Sequence, residues 1–420
     1  MLAERYDTVI VGGGVAGLIA ANLLARGGQS VVVLERSKRL GGRGMTRVEK
    51  GYYLNVGAHA LYKQGAAARI SAELNIHPAG NLPIINHHSL AMRDGIGHAY
   101  PSTPRAILQT TLLTAGEKLK MAGAMVKVMR AKSAELQHTS WQQWLNDNVA
   151  SPAVRDLFVS IGRLSTYAND PTVSAAAVIG QLQMVLGKNV LYLDHGWQQW
   201  IDLLAEKAQE AGATIVCQSP VRQVEADAVT LANGTRIGAT HIVLAVPAPN
   251  AVKLLPLLAE QTQHLHPARV ASLTVGVSHV PNPKVTFASG IDRPSYFSLH
   301  SAAAQLAPQG GGLMHAMLYL SPDWDSSAEN DRAELEEMFD QIQPGWRDYV
   351  EVEEYLPRIT VAYGILRYDR PRPTHETRFP NVHVAGDWVG DEGMLVDAAA
   401  ASARAAAEAI LNWERETGVL

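Results

Sequence analysis

The six residues Gly12-Gly13-Gly14-Val15-Ala16-Gly17 constrain this chain more than any other stretch. They follow the apolar run 6–11, which reads as a buried parallel strand. They open the segment 15–27, where Val15, Leu18, Ile19, Asn22 and Leu23 recur at helical spacing. A second apolar run, 30–34, completes a β-α-β unit of about thirty residues, and Glu35 ends it. In that setting G-x-G-x-x-G is a dinucleotide fingerprint. Gly12 permits the tight turn, Gly14 lets the backbone approach a pyrophosphate, and Gly17 lets the helix pack on the strand. The helix start at Val15 and Ala16 offers unpaired N–H groups and a partial positive charge to that anion. Glu35 would accept hydrogen bonds from a ribose and repel a 2′-phosphate, which disfavours NADP.

The fingerprint alone does not separate NAD from FAD. Arg39-Leu40-Gly41-Gly42-Arg43 follows within a few residues. It resembles the R-x-G-G-R motif of the FAD-containing amine oxidase, protoporphyrinogen oxidase and phytoene desaturase superfamily. The resemblance implies non-covalently bound FAD, with Arg36, Gly42 and Arg43 at the cofactor and Arg43 as a second cationic clamp on the pyrophosphate. Gly57-Ala58-His59, after Tyr53-Leu54-Asn55, is similar to the family's segment near the flavin ring, with Asn55 in place of the usual Asp. Pro220-Val221 resembles the mid-chain site where the Val221 backbone would meet adenine, and Ala245-Val246-Pro247 resembles the strand end after it. Asn381-Val382-His383-Val384-Ala385-Gly386-Asp387-Trp388 looks like the family's C-terminal strand. There Gly386 and Asp387 would meet the cofactor, and the helix beginning near Val396 would aim its N-terminus at the flavin. Ala398 stands where the family usually shows glycine.

These motifs lie in the blocks 8–62, 213–249 and 380–405. The implied fold is α/β: a split Rossmann-type FAD-binding domain from 1–95, 190–265 and 365–420. An inserted α+β substrate domain would come from 96–189 and 266–364. Segments 292–298 and 307–312 are closest to bacterial phytoene dehydrogenase-related oxidoreductases.

The resemblance implies an FAD-dependent dehydrogenase, oxidase or desaturase that moves a hydride from a largely apolar small molecule to flavin N5. A second G-x-G-x-x-G is absent, so the electron acceptor is expected to be dioxygen, a quinone or an unknown partner. Amine oxidases of the family often place a lysine near N5. The matching run 270–275 has none, and Lys284 lies beyond it. The alternatives are a flavin-dependent amine oxidase and a cis–trans isomerase driven by reduced FAD. Candidates for the substrate face are His59, Tyr363 and Trp388, with Tyr296, His300 and His315 on strands of the substrate domain.

Other features bound the answer. A chain of 420 residues exceeds what one core usually takes. The net charge of −4 argues against a nucleic-acid partner. One cysteine, Cys217, excludes an internal disulfide, a thiolate cluster and a redox dithiol. On one strand the adjacent His87 and His88 would face opposite ways, and no histidine spacing suggests a metal. Neither a signal peptide nor a membrane-spanning run is read, so a cytoplasmic protein is expected. Its surface can still meet a membrane peripherally. Arg105, Lys118, Lys120, Lys127, Arg130 and Lys132 sit among Leu, Ala and Met, as on a basic amphipathic helix. Helical pattern fills 103–147 and 153–187, and 197–211 forms an amphipathic helix closed by Gly212. Asn233-Gly234 marks a hairpin. Strands are expected at 270–277, 294–299 and 313–320, and helices at 332–342 and 396–414. The oligomeric state stays open.

Overall fold

The fingerprint strand, Arg5–Val11, lies in the middle of a seven-stranded sheet in the computed structural model, which describes residues 3–188 and 190–417. Positions 1, 2, 189 and 418–420 of the expected domain ranges fall outside the described residues. From one edge the strands run Thr214–Val216, Val31–Leu34, Arg5–Val11 and Arg236–Leu244. All these neighbours pair in parallel. The far side of Arg236–Leu244 is shared. Its carboxyl half pairs in parallel with Val382–Val384, and its amino half turns through the Gly234 hairpin into Ala228–Leu231 and Val221–Val224. Burial on both faces explains why the central runs read as unbroken Val, Ile and Leu rather than alternating. Helices Val15–Arg26, Gln198–Glu210 and Leu395–Thr417 share one core on this sheet, with Leu18, Ile19, Trp200 and Leu204 among its members. The Ala-rich face of the last helix, Ala400, Ala403 and Ala407, packs there beside Ala20 and Ala21. Small side chains let those backbones come close.

A second seven-stranded sheet runs Val350–Ala362, Ala268–Val277, Gly312–Leu320, Ser295–Leu299, Phe287–Gly290, Leu90–Arg93 and Ile96–Ala99. One core contains Leu335 and Phe339 of helix Ala328–Ile342 together with Phe297 and Leu318 of this sheet. Another joins Phe158 and Val178 of the helical segment to Val270, Tyr296 and Met317. Helices therefore cover both faces.

Three details differ from the sequence reading. The cut expected at residue 95 falls inside the hairpin 90–99, which pairs with Phe287–Gly290 and so belongs to the second sheet. The helical stretch 103–147 is divided into Pro104–Gln109, Ala115–Arg130 and Trp141–Asn148. Side-chain caps mark the restarts: Thr114 and Glu117 form a capping box, and Ser140 accepts the Gln143 N–H. Strand Val350–Ala362 was not foreseen. It is an edge strand, and its Glu351, Glu353, Glu354, Pro357 and Arg358 mask the apolar alternation.

Candidate active site

A cavity of about 700 Å³ runs from the carboxyl ends of the parallel strands, at Val11, Leu34 and Ala385, to the second sheet at Val270, Met317 and Ile359. The glycine turn shapes its first part. Gly12 has φ of +109°, and a Cβ there would meet the Ala245 carbonyl oxygen at 2.5 Å. A Cβ on Gly17 would lie 1.9 Å from the Gly12 oxygen, so Gly17 brings helix to strand and does not itself line the cavity. A Cβ on Gly14 would lie 3.8 Å from the Gly41 oxygen, an ordinary contact, and without one the Gly14 backbone lines the cavity bare of any side chain. Gly14 is also the N-cap of helix Val15–Arg26 and supplies no side-chain cap, so the first helical N–H groups face the cavity without a side-chain partner. The Glu35 carboxylate accepts the Gly13 N–H at 2.8 Å and the Ser37 N–H at 2.7 Å, which fixes it at the strand end.

Arg43 ties the two ends of the chain together. Its Nη1 donates to Asp387 Oδ2 at 2.6 Å and to the Val361 carbonyl at 2.7 Å. Its guanidinium stands 5.0 Å from the centre of the Tyr363 ring. Burial works against this charge, but the Asp387 carboxylate outweighs it and holds Arg43 above its ordinary pKa. Asp387 Oδ2 also accepts the Tyr363 N–H at 3.0 Å, while the buried Oδ1 has no protein partner. An uncapped helix start and a Gly14 backbone bare of any side chain fit a pyrophosphate, and the unpaired Asp387 oxygen fits a hydroxyl donor elsewhere on a dinucleotide. Every residue expected at the cofactor except Gly17 lines this cavity: Gly12, Gly14, Val15, Ala16, Glu35, Arg36, Gly42, Arg43, Gly57, Ala58, His59, Val221, Gly386, Asp387 and Val396.

The far end is built differently. His59 Nδ1 lies 2.9 Å from the Gly57 carbonyl and Nε2 lies 3.2 Å from the Arg43 carbonyl, with the ring edge-on to Trp197. Burial pushes the imidazole below its ordinary pKa, against the pull of those carbonyls. The Tyr62 hydroxyl donates to the Ser165 carbonyl at 2.8 Å and the Tyr167 hydroxyl to the Ala58 carbonyl at 3.1 Å. Both phenols are thus committed to backbone, and the remaining lining there includes Val270, Met317 and Ile359. The lining carboxylates are Glu35 and Asp387, both already hydrogen-bonded. The lining lysine is Lys253, beside Asn250 and Leu254 on helix Ala248–Leu254, which contacts the strand carrying Val221.

The family model described as "Flavin containing amine oxidoreductase" matches residues 15–411. The chain belongs to this family. Amine oxidase B of Bos taurus is 32% identical over 105 residues, covering 24% of this chain and 20% of that protein. The 15-cis-phytoene desaturase of Synechococcus elongatus is 26% identical over 239 residues, 51% of this chain and 50% of that one. The chain therefore spans half or less of these curated relatives. An oxidoreductase structure from Methanosarcina mazei superimposes with a TM-score of 0.76 at 18% identity, over 96% of this chain and all of the other. The cavity is accordingly that of a flavin-containing oxidoreductase. Cys217 is outside the lining, beyond the end of strand Thr214–Val216.

Within this flavin-containing oxidoreductase the sequence candidates separate. Tyr363 and His59 line the cavity. Trp388 does not: it is fully buried, and its Nε1 donates to the Val246 carbonyl at 3.0 Å on the core side of the strand end. The left-handed φ of Gly386, +156°, turns the chain over the indole. Tyr296, His300 and His315 are buried behind the cavity, where the Tyr296 hydroxyl meets that of Tyr192 at 3.2 Å and the His300 ring stacks on Tyr192. They support the sheet and do not reach the lining. Lys284 is likewise outside it.

Arg372 was not expected at all. It is buried, and its guanidinium donates to the carbonyls of Gly390 at 2.7 Å, Gly393 at 2.9 Å and Asp387 at 3.0 Å. Burial lowers its pKa to about 10. It holds the loop 387–393 that carries the chain from Asp387 into the cofactor-facing helix. Because its acceptors are backbone carbonyls, no partner residue type announces it. Among the described residues no group of three or more His, Cys, Asp or Glu side chains is placed to hold a metal.

Proposed function

We propose that this oxidoreductase oxidises a neutral, largely apolar organic substrate bound at the far end of the cavity. One observation carries the reading. Among the described residues, the lining around Tyr62, Tyr167, Val270, Met317 and Ile359 includes neither a carboxylate nor a lysine. An ammonium group there would be buried without a counter-ion, which costs several kcal/mol. An apolar carbon skeleton instead meets aromatic faces and the adaptable Met317 side chain.

When bound, FAD supplies the acceptor for a hydride leaving a substrate carbon. The chain's own residues orient the donor and keep water out. Tyr62 and Tyr167 present rings whose hydroxyls are engaged elsewhere, so they shape the wall without competing for substrate polar groups. His59 lies between the Gly57 and Arg43 carbonyls; burial lowers its pKa, and in the neutral form its single N–H can donate to one of the two loops. A desaturase would yield a C=C bond, and the reduced protein would pass its electrons to dioxygen or a quinone.

Anaerobic mixing of the holoenzyme with neutral apolar hydride donors and, separately, with primary amines tests the reading. Bleaching of the flavin band by the neutral donors supports it. Bleaching by amines alone overturns it in favour of an amine oxidase. Product formed by the reduced protein with no acceptor consumed overturns it in favour of isomerisation.

A further inference from the structure

Helix Ala115–Arg130 is apolar on two opposite sides. Met121, Ala124 and Val128 face inward and join the core that also holds Val270 and Met317 of the cavity wall. The helical repeat places Leu119, Ala122, Gly123, Val126 and Met129 on the other side, and all of them are exposed. Leu119 is 76% exposed, Val126 48% and Met129 47%. The adjoining helix Pro104–Gln109 adds Leu108 at 79%. It is locked beside the first by Lys118 Nζ, which donates to the Leu108 carbonyl at 3.0 Å. An apolar side chain this exposed is ordinary when single. Four of them on two joined helices make a patch.

The charge around the patch says what covers it. From Arg105 to Lys132 the chain carries six basic residues and one acidic residue, Glu117, although the whole protein has a net charge of −4. Glu117 is turned to the capping box and to Ser151. Lys120 and Lys127 project along one flank of the apolar stripe, Lys118 along the other, and Arg130 lies within it. Among the described residues none of Arg105, Lys118, Lys120, Lys127 and Arg130 forms an ion pair with a carboxylate; Lys132 pairs with Glu135. Apolar side chains ringed by lysine and arginine match a surface that is apolar inside and anionic at its boundary. No described helix is long and apolar enough to cross a membrane, so the contact is in the plane of the surface.

We propose that the outward face of helices Pro104–Gln109 and Ala115–Arg130 docks on an anionic lipid bilayer. The inner face of helix Ala115–Arg130 packs on helices Pro152–Thr166 and Ala175–Lys188, whose core also takes in Val270 and Met317 of the cavity wall, so an apolar substrate dissolved in lipid would be met one helical layer from its site. The proposal deepens the apolar-substrate reading but stands on the surface itself.

The test uses the FAD-loaded full chain with vesicles of phosphatidylcholine alone and of phosphatidylcholine with phosphatidylglycerol. The expected result is co-sedimentation with the anionic vesicles at roughly tenfold higher affinity, reversed by high salt. Leu119→Glu with Val126→Glu should abolish it without changing flavin absorbance or thermal stability, since both positions face solvent. Lys120→Glu with Lys127→Glu should remove the anionic preference. Absence of binding to either vesicle, or binding unmoved by these variants, overturns the proposal. So does a dimer in sedimentation velocity that the Leu119→Glu, Val126→Glu variant dissolves, because the face would then belong to a second copy. Flavin bleaching by detergent-dispersed neutral donors needs no vesicle and reports on the substrate reading separately.

Discussion

Arg43 and Asp387 are 344 residues apart in sequence and 2.6 Å apart in space. The pair closes the cavity between a loop after the second strand and the end of the last one. Asp387 is almost wholly buried, with a side-chain exposure of 3%, whereas Arg43, at 37%, is open to the cavity. The arginine therefore neutralises a buried carboxylate and keeps a free edge for an anionic ligand.

Arg43→Ala should leave Asp387 buried without its cation. The expected cost is about 2–3 kcal/mol of stability, at the low end for a broken buried pair because one partner is partly open. Loss of most bound FAD should accompany it. Arg43→Lys keeps the charge and one nitrogen for the carboxylate and the Val361 carbonyl, but lacks the further guanidinium N–H groups that could meet an anionic ligand, so it should recover stability better than flavin content. Denaturant melts and the flavin-to-protein absorbance ratio read the two effects. A fully yellow Arg43→Ala protein of wild-type stability would refute this role.

Gly14 and Gly17 belong to one motif and should fail in different ways. A methyl group on Gly14 would meet the Gly41 oxygen at 3.8 Å, an ordinary contact without a clash, so Gly14→Ala should change the apo-protein's stability by less than about 1 kcal/mol while weakening FAD binding by roughly tenfold or more. A methyl on Gly17 would strike the Gly12 oxygen. Gly17→Ala should cost about 3 kcal/mol or more before any cofactor is added. Flavin titration and apo-protein unfolding, run on both variants, separate the two. Identical behaviour would count against the division of roles.

How much of this could be read from the sequence depended on whether a residue's job is local. Gly12, Gly14, Glu35 and Gly42 answer to a turn or a strand end, and their neighbours in sequence are their neighbours in space. Arg43 and Asp387 were legible as cavity residues because each lies in a recognisable motif. The far end of the cavity was opaque. Tyr62, Tyr167, Val270, Met317 and Ile359 come from separate elements, and only the tertiary packing of both sheets brings them together. Trp388 was misread because an aromatic next to a motif can point either way, and the backbone at Gly386 decides it.

Trp388→Phe checks that correction. The indole N–H donates to the Val246 carbonyl, so the variant loses one buried hydrogen bond and should be destabilised by about 1 kcal/mol. Turnover of whatever donor reduces the flavin should stay within about twofold, since the ring does not face the cavity. A large fall in kcat with unchanged stability would return Trp388 to the substrate face.

Asp397 supplies a pH dependence of predictable sign. Its Oδ1 accepts the Ala67 N–H at 2.9 Å, its Oδ2 is buried without a partner, and burial pushes the carboxyl up to about 7. Arg69 pulls the other way, and Glu392 adds to the rise. In the unfolded chain an aspartate titrates near ~3.9. Between those two values the folded protein keeps a proton that the unfolded chain releases. Stability from this group is therefore full at low pH, falls as pH rises through that window, and is flat above it. The gap between the folded and unfolded values sets an upper limit of about 4 kcal/mol on the effect. Asp397→Asn retains the acceptor for Ala67 and cannot ionise, so it should be the more stable protein at pH values above about 7 and close to wild type near about 4. Other groups titrate in the same range, so the measurement is the difference between the two proteins in urea unfolding across that range. Parallel curves would show that Asp397 is ionised in the fold and that Oδ2 has found a cation or a donor in solution.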